Sequence, residues 1–320
     1  MTMTLELQSH SVSILICTCN RAESLRHTLE SLAQVNVPEN LSCELIVVDN
    51  ASSDRTAEII QSFSMPNMPV RYISELQRGL SKARNAGIAA ARGEIILFTD
   101  DDVRPPHNWI EGMCAPILAG TAEAVAGGVK IAPHLDREWM QPIHRAYFAS
   151  SEFIDPQAPQ FLIGANMAFL KQVLVKIPGF DTEIGPGAIG YGDDTLFTAQ
   201  ILQAGYRIAS ALDVVVEHHF DESRLLRSHL MNAAQKAGQT SAYLAHHWDH
   251  TQISFPRLRL LKCLINFGFW RLKTWRHPLK SEGLLPQEWE LIHIINFYKQ
   301  YLVEWRRKPN YQQYGLVKNS

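Results

Sequence analysis

Short apolar runs alternate with helix signals along the first 130 residues, and this alternation limits the folds open to the chain. Each run has the length of a buried strand rather than that of a helix. Strands separated by single helices form βαβ units, which build parallel sheets covered by helices on both faces. We therefore predict an α/β fold with a mostly parallel, doubly wound sheet. Its strands are expected at Val12–Cys17, Glu44–Val48, Val70–Ile73, Glu94–Phe98 and Ala124–Ile131.

Capping residues give approximate boundaries for the helices between these strands. Asn20 and Glu23 have the spacing of a capping box, which predicts a helix directly after the first strand. Ser81 is expected to cap a helix that stops before Gly93. Further helices are predicted at Thr56–Phe63, Trp109–Leu118 and Asp194–Ala204.

The pattern changes twice in the second half of the chain. Beyond Lys130 it becomes irregular, Phe161–Leu170 fits a strand or a loop, and Val214–Glu217 reads as a strand. After about Asp221 the sequence reads as helices with basic faces. We therefore expect a nucleotide-binding domain over residues 1–220 and a helical C-terminal extension over residues 221–320.

Polar residues follow directly where the predicted strands end. Thr18–Arg21 come after the first strand, Asp49 and Asn50 after the second, and Asp100–Asp102 after the fourth. In open α/β sheets, ligands bind outside the carboxyl ends of the strands. The sequence therefore predicts one binding site at this edge of the sheet.

Three adjacent carboxylates, Asp100, Asp101 and Asp102, repel one another unless a cation offsets their charge. Mg²⁺ and Mn²⁺ prefer such oxygen ligands and also accept phosphate oxygens. The alternative is a solvated acidic turn before Pro105 and Pro106. Their place at the end of a buried strand favours a divalent-metal site.

Basic and amide residues crowd the start of the helix that precedes the acidic strand. They are Arg78, Lys82, Arg84 and Asn85. Helix N-termini attract anions, and arginine adds charge-assisted hydrogen bonds to a diphosphate. The alternative is an amphipathic helix with a solvated basic face.

Two further groups are candidates for chemistry. Asp193 and Asp194 follow Gly192 at a predicted helix start, where a carboxylate can act as general base or simply cap the helix. His218 and His219 end a predicted strand, where one could be a metal or phosphate ligand or a histidine with a purely structural role.

In order and spacing, these segments resemble the family 2 glycosyltransferases, whose domain has the GT-A fold. The resemblance spans roughly residues 11–220. It rests on the segments SVSILICTCNR, ELIVVDNASSD, RGLSKARNAGIAAARGEIILFTDDD, GANMAF, PGFD and GYGDDTLFTAQILQAGYRI.

The resemblance implies roles for the matching positions. Asp100 and Asp102 correspond to the ends of the DxD motif that binds the metal, with His218 as a further candidate ligand. Asp194 corresponds to the catalytic base, beside Asp193. The nucleotide would contact Thr18, Asn20, Arg21, Asp49, Asn50, Arg84, Asn85, Asp100 and Asp101. The sugar and the acceptor would be lined by Gly164, Ala165 and Asn166.

Three positions depart from the family pattern. Cys19 stands where the family often has tyrosine, and Asn50 where it often has a second aspartate. Both changes touch the nucleobase pocket, so uridine specificity does not follow from the resemblance. Asp193 replaces a glutamate and shortens that side chain by one methylene.

The implied reaction is an inverting transfer of a sugar from a nucleotide-diphosphate donor to an acceptor hydroxyl, with Mg²⁺ or Mn²⁺ as cofactor. A sugar nucleotidylyltransferase is one alternative, but the first strand here runs into Thr18–Arg21 without the glycine-rich loop of that class. The other alternative is a non-catalytic scaffold that binds nucleotide sugars, and its mark would be loss of the metal or base carboxylates. Both sets of carboxylates are present. Cell-envelope or exopolysaccharide synthesis is the role that the resemblance suggests.

Composition bears on the compartment and the partners. A formal net charge of -2 provides no general field for nucleic acid. Five cysteines without a CxxC pair favour a reducing, cytoplasmic compartment. Met1–His10 lacks the features of a signal peptide, and no stretch has the length of a transmembrane helix.

The region Phe255–Trp275 mixes large apolar residues with arginine and lysine, and Leu284–Tyr301 is also amphipathic. Such a helix suits the interface of a membrane, near a glycan or lipid-linked acceptor, with the protein peripheral on the inner face. The alternative is a helix that packs on the catalytic domain or on a second subunit.

Overall fold

The computed structural model describes residues 10–274 and 281–319. Met1–Ser9, within the region predicted to lack a signal peptide, and Trp275, the end of the amphipathic region, therefore lie outside the described residues. The strands are β1 His10–Thr18, β2 Leu41–Asp49, β3 Val70–Ser74, β4 Ile95–Asp100, β5 Val103–Arg104, β6 Ala124–Ile131, β7 Asn166–Leu170 and β8 Ile208–His218. The helices are α1 Ala22–Leu32, α2 Thr56–Ser62, α3 Leu80–Ala90, α4 Trp109–Leu118, α5 Pro142–Tyr147, α6 Asp193–Gln203, α7 Arg227–His247, α8 Pro256–Thr274 and α9 Pro286–Glu304.

All eight strands form one sheet in the order β3-β2-β1-β4-β7-β6-β8-β5. The first half, β3-β2-β1-β4, is entirely parallel, as the βαβ spacing predicts. In the second half β7 is antiparallel to both of its neighbours, β6 and β8 are parallel, and β5 is antiparallel to β8. The predicted α/β class is confirmed, and the sheet is mixed beyond β4.

The sheet is covered on both faces. Along β1, Ile14 and Ile16 belong to one core cluster with Leu25 of α1, while Leu15 belongs to the other with Ala83 of α3. This alternation is the two-residue period of a strand buried on both sides. Polar residues follow β1, β2 and β4 at the edge of the sheet, where the chain leaves the core.

Two predicted caps are wrong. Asn20 does not cap α1; its Oδ1 accepts a hydrogen bond from Ser53 N (2.7 Å), and Asp54 Oδ2 accepts one from Ala22 N (3.1 Å). Ser81 lies inside α3 and donates its hydroxyl to the Ile184 carbonyl (2.7 Å). In both places the side chain makes a hydrogen bond to another segment instead of the predicted capping bond.

The C-terminal helices pack on the sheet domain. In a third core cluster, Ile131 and Phe220 of the sheet region lie with Leu230 of α7 and Trp289 of α9. Helix α9 packs along α7 and also contacts α8. The division of the chain at residue 220 falls after β8 and stays a prediction. Within the described residues, no helix combines the length and hydropathy needed to cross a membrane.

Candidate active site

A cleft of about 1180 Å³ opens at the carboxyl ends of β1 and β4. It is lined by the acidic triplet and by the starts of α3 and α6. Residues of α5, α7 and α9 also line it. The predicted residues that line the cleft are Thr18, Arg21, Asn50, Arg84, Asp100, Asp101, Asp102, Gly164, Ala165, Asp193, Asp194 and His218.

Arg21 bridges two carboxylates of the acidic triplet. Its Nη1 donates to Asp101 Oδ1 and its Nη2 to Asp102 Oδ2, both at 2.7 Å. Thr18 donates its hydroxyl to the other oxygen of Asp101 at 2.6 Å. Burial raises the pKa of Asp101 to about 7 despite the positive charge of Arg21. One guanidinium and one hydroxyl thus hold two of the three adjacent carboxylates, Asp101 and Asp102.

His218 faces the Asp102 carboxylate of the triplet. Its Nε2 lies 3.3 Å from Asp102 Oδ2, and its Nδ1 lies 2.7 Å from the Phe148 carbonyl oxygen. A carbonyl only accepts, so Nδ1 carries a proton, and Nε2 faces Asp102. Burial by itself raises the pKa of Asp102, but His218 and Arg21 outweigh it and hold that pKa well below its ordinary value.

The carboxylates of the triplet offer oxygen ligands of the kind that a divalent cation requires. Among the described residues, no group of three or more histidine, cysteine or acidic side chains is arranged to hold a metal by itself. However, Asp102 Oδ1 is buried and has no hydrogen-bond partner, and the Asp100 side chain is about one third exposed to the cleft. Mg²⁺ sites commonly use one or two carboxylates and complete their coordination with water and substrate phosphates. The residues fit a site of that kind.

Arg84 connects α3 to the start of α6. Its Nη1 donates to Asp193 Oδ2 at 2.6 Å, and its Nη2 lies 4.0 Å from Asp100 Oδ1. The guanidinium also lies over the rings of Phe98 and Phe180. Burial raises the pKa of Asp193 to about 6, and Arg84 opposes that rise. The Asp193 carboxylate is therefore engaged in an ion pair with Arg84 and is not free to contact a substrate.

Asp194 lies one residue further along α6 and lines the cleft. Its Oδ2 accepts a hydrogen bond from the backbone N–H of Gly164 at 3.1 Å. A Cβ at Gly164 would collide with the Arg84 guanidinium, so a larger residue there would displace this side chain. The first turn of a helix also stabilises a carboxylate. Asp194 is thus a positioned carboxylate at the cleft surface.

Asn50 supports the basic helix start. Its Oδ1 accepts from Gly79 N at 2.8 Å, and its Nδ2 donates to the carbonyls of Glu75 and Gln77. Gly79 has φ 139°, a conformation that favours glycine. An aspartate at position 50 could not donate these two hydrogen bonds. The amide therefore shapes the segment that leads into α3.

Four predicted residues do not line the cleft. Asn20 and Asp49 bind the turn after β2, through Ser53 N and Ser52 N respectively. Asn85 bonds to the backbone of Phe180. Asn166 is fully buried and is satisfied by Trp109 Nε1 and by the carbonyls of Gly128 and Val214. These side chains connect the segments around the site by hydrogen bonds and do not face the cleft.

An aromatic wall of the cleft was not predicted from the sequence. Tyr147 of α5, Tyr191 and Trp289 of α9 line it, and Tyr147 lies 6.0 Å from Tyr191 and 5.6 Å from Trp289 between ring centroids. On α9 the lining residues include Trp289 and His293, one helical turn apart. That spacing is visible in the sequence, but it does not distinguish a cleft-facing stripe from a core-facing one.

Comparisons with known proteins agree with this geometry. The family described as "Glycosyl transferase family 2" matches residues 13–177, just over half of the chain. "Glycosyltransferase AglE" of Haloferax volcanii is 30% identical over 215 residues, which cover 65% of this chain and 66% of that protein, slightly less than two thirds. "Succinoglycan biosynthesis protein ExoM" of Rhizobium meliloti is 27% identical over 241 residues, covering 73% of this chain and 74% of that protein.

The fold also has a counterpart among solved structures. The mannosyltransferase PcManGT from Pyrobaculum calidifontis, in complex with GDP-Man and Mn²⁺, superimposes with a TM-score of 0.58 over 93% of this chain and 88% of its own. The two sequences are 18% identical, so the likeness concerns the fold alone.

Proposed function

The chain belongs to glycosyl transferase family 2 and is a glycosyltransferase, and we propose that it moves a sugar from a nucleotide-diphosphate donor to an acceptor hydroxyl with inversion. One observation carries the proposal: a single cleft contains both the acidic triplet at the end of β4 and the Asp194 carboxylate at the start of α6. Single-displacement transfer needs a site for the diphosphate and a base for the acceptor on the two sides of one sugar.

The donor end of the cleft is proposed at the acidic triplet and the start of α3. Asp102 and Asp100, with His218 Nε2, would hold Mg²⁺ or Mn²⁺, which neutralises charge on the diphosphate when it is bound. Thr18 and Arg21 keep the triplet in place. Support for this cofactor is the unpartnered Oδ1 of Asp102, and PcManGT is an example of the fold in complex with Mn²⁺.

The acceptor end is proposed at Asp194. Its carboxylate takes the proton of the acceptor hydroxyl as that oxygen attacks the anomeric carbon. A carboxylate is a weak base, so proton transfer comes late, when the attacking oxygen has become acidic. Asp193 is a positioning residue, because its ion pair with Arg84 orders the first turn of α6.

The wall formed by Tyr147, Tyr191 and Trp289 is proposed to hold the acceptor. Aromatic rings with a polar tip give a sugar both an apolar face and hydrogen-bond partners. A glycan or lipid-linked acceptor fits this wall, and the name of ExoM places one relative in polysaccharide synthesis. We propose a cell-envelope or exopolysaccharide acceptor, with the enzyme working in the cytoplasm or peripherally at the inner face of the membrane. All five cysteines are free thiols, which fits that reducing compartment.

Calorimetric titration with a panel of nucleoside diphosphates, with and without Mn²⁺ or Mg²⁺, tests the donor site. We expect one nucleotide to bind, to bind more tightly with metal, and to lose the metal effect in Asp102→Ala. Asp213→Ala serves as the control, because Asp213 is exposed on β8 and does not line the cleft. If no nucleotide binds under either condition, the proposed donor site is wrong.

A further inference from the structure

Helix α8 exposes a stripe of large apolar side chains away from the rest of the molecule. Leu258, Leu261, Ile265, Phe269 and Leu272 are 50–69% exposed. At about 100° per residue, these five positions fall on one side of the helix. A stripe of this size on one helix is far from the scattered single apolar residues that are normal on a protein surface.

The opposite side of α8 attaches the helix to the protein. Trp270 is buried and donates its indole N–H to Gln287 Oε1 at 3.1 Å, and Phe267 packs on the third core cluster. Leu260 and Cys263, on the same side, are partly buried. The packed stripe and the exposed stripe lie roughly 180° apart around the helix axis. The exposed stripe is therefore outward-facing and is not part of the core of this chain.

Basic residues flank the exposed stripe on both sides. By helical position, Arg257 lies along one edge, and Arg259, Lys262 and Lys273 lie toward the other. Arg271 lies nearer the packed side, with its Nη1 3.9 Å from Glu288 Oε1. Helix α8 contains no acidic residue, although the whole chain has a net charge of -2, so positive charge is concentrated beside this apolar stripe.

We propose that α8 is a membrane-docking helix that lies in the plane of an anionic lipid surface. The apolar stripe enters the boundary of the acyl chains, while the arginine and lysine side chains extend sideways to lipid phosphates. A second copy of this chain fits less well, because pairing the same stripe of two molecules would bring the basic residues of both helices together.

Helix α9 connects the proposed docking helix to the cleft. Helix α9 contacts α8 through Gln287, and Trp289 and His293 of the same helix line the cleft. Docking would bring the enzyme to the membrane surface, where an acceptor carried by a lipid is found. This last step rests on the proposed function, whereas the docking of α8 does not.

Flotation of the full chain with vesicles, in the absence of any nucleotide, tests the proposal. We expect the protein to float with phosphatidylcholine vesicles that contain phosphatidylglycerol, to float much less with pure phosphatidylcholine, and to detach as salt is raised. The triple variant Leu261→Gln, Ile265→Gln, Phe269→Gln should lower binding at least tenfold. The control Val175→Gln, at an exposed valine outside α8, should bind as the unchanged chain does.

A second variant separates charge from apolar insertion. Lys262→Gln with Lys273→Gln should reduce the preference for anionic vesicles while leaving donor binding unchanged. Failure of the unchanged chain to float on anionic vesicles, or flotation of the triple variant to the same extent, would overturn the proposal. A self-associated chain that the triple variant converts to monomer, without flotation, would make the stripe a protein interface instead. Because no donor is present, none of these outcomes bears on the transferase assignment.

Discussion

Asp193 and Asp194 are adjacent carboxylates in different surroundings. Both line the cleft, but Asp193 is buried and paired with Arg84, whereas Asp194 accepts one backbone hydrogen bond from Gly164. Neighbouring carboxylates acquire separate roles when their environments differ in this way. The first keeps the start of α6 in place, and the second is left to face the acceptor.

Asp194→Asn is expected to lower turnover by about 10²- to 10⁴-fold, because an amide cannot take the acceptor proton. Donor affinity and the midpoint of thermal unfolding should stay near those of the unchanged chain. Product formation under saturating donor, together with calorimetry, measures both effects. Near-normal turnover would remove Asp194 from the role of base.

Asp193→Asn provides the matched contrast. This change removes the charge partner of a buried arginine, which costs about 3–5 kcal/mol in comparable buried pairs. We expect unfolding at clearly lower denaturant concentration, with loss of activity following from loss of structure. Equal stability of the two variants would contradict the division of roles.

At the scale of elements, α7 and α9 form the closest helix pair in the C-terminal region. A Cβ at Gly238 of α7 would come closer than 3.0 Å to the His293 carbonyl of α9. His293 lines the cleft, so this crossing also sets the position of the acceptor wall. A glycine inside a helix is unfavourable by itself, and here it is required by the close approach.

Gly238→Ala is therefore expected to destabilise the chain by about 1–3 kcal/mol, the usual effect of overpacking. Gly268→Ala is the control, since a Cβ there meets nothing within 4 Å on the same kind of helix interior. The control should stabilise by about 0.5–1 kcal/mol through helix propensity. Urea unfolding of both variants measures the difference, and effects of the same sign would refute the close crossing.

The far end of the α7–α9 pair contains a buried ion pair. Glu304 Oε2 accepts from His247 Nε2 at 2.9 Å and from Arg307 Nη1 at 2.8 Å. Burial by itself raises the pKa of Glu304, but these donors and Gln300 lower it to about 2. A carboxyl group whose pKa is lower in the folded state stabilises that state at pH values above its ordinary pKa. This stabilisation is lost as the pH falls toward the lowered pKa.

Glu304→Gln should therefore lower the free energy of unfolding by about 3 kcal/mol at pH 7. The difference from the unchanged chain should shrink between about pH 5 and pH 2, where the carboxylate becomes protonated in both states. Denaturant titrations at pH 7, 5 and 3 measure it. A difference that stays constant with pH would show that Glu304 acts through packing alone.

On the scale of the whole molecule, Asp181 joins three distant parts of the chain. Its Oδ2 accepts from Tyr243 of α7 and Tyr311 of the C-terminal segment at 2.6 and 2.8 Å, and its Oδ1 lies 2.6 Å from Lys318 Nζ. The sheet domain, the helical region and the final segment are thus tied at one buried carboxylate.

Asp181→Asn should loosen this connection, because one acceptor oxygen becomes a donor and the charge partner of Lys318 disappears. We expect backbone amides in residues 309–319 to exchange hydrogen about tenfold faster or more, measured by mass spectrometry. The exposed Asp213→Asn is the control. Unchanged exchange in this segment would mean that backbone bonds alone hold it.

The sequence by itself determined the elements and the edge of the sheet where the site lies. Strand and helix periods depend on neighbouring residues, so β1–β4, β6 and α4 could be predicted to within a few residues. The polar residues after β1 and β4 could be predicted for the same reason, because every parallel strand presents its carboxyl end to one edge.

Only the tertiary structure decided which side chains face the cleft. Asn20 and Asn166 have the right residue types, yet partners from other segments bind them away from the cleft. Asp194, the acidic triplet and α9 line one cleft, although they belong to segments far apart in the chain. Such contacts depend on how whole elements pack, and a local sequence period contains no information about the partner across the core.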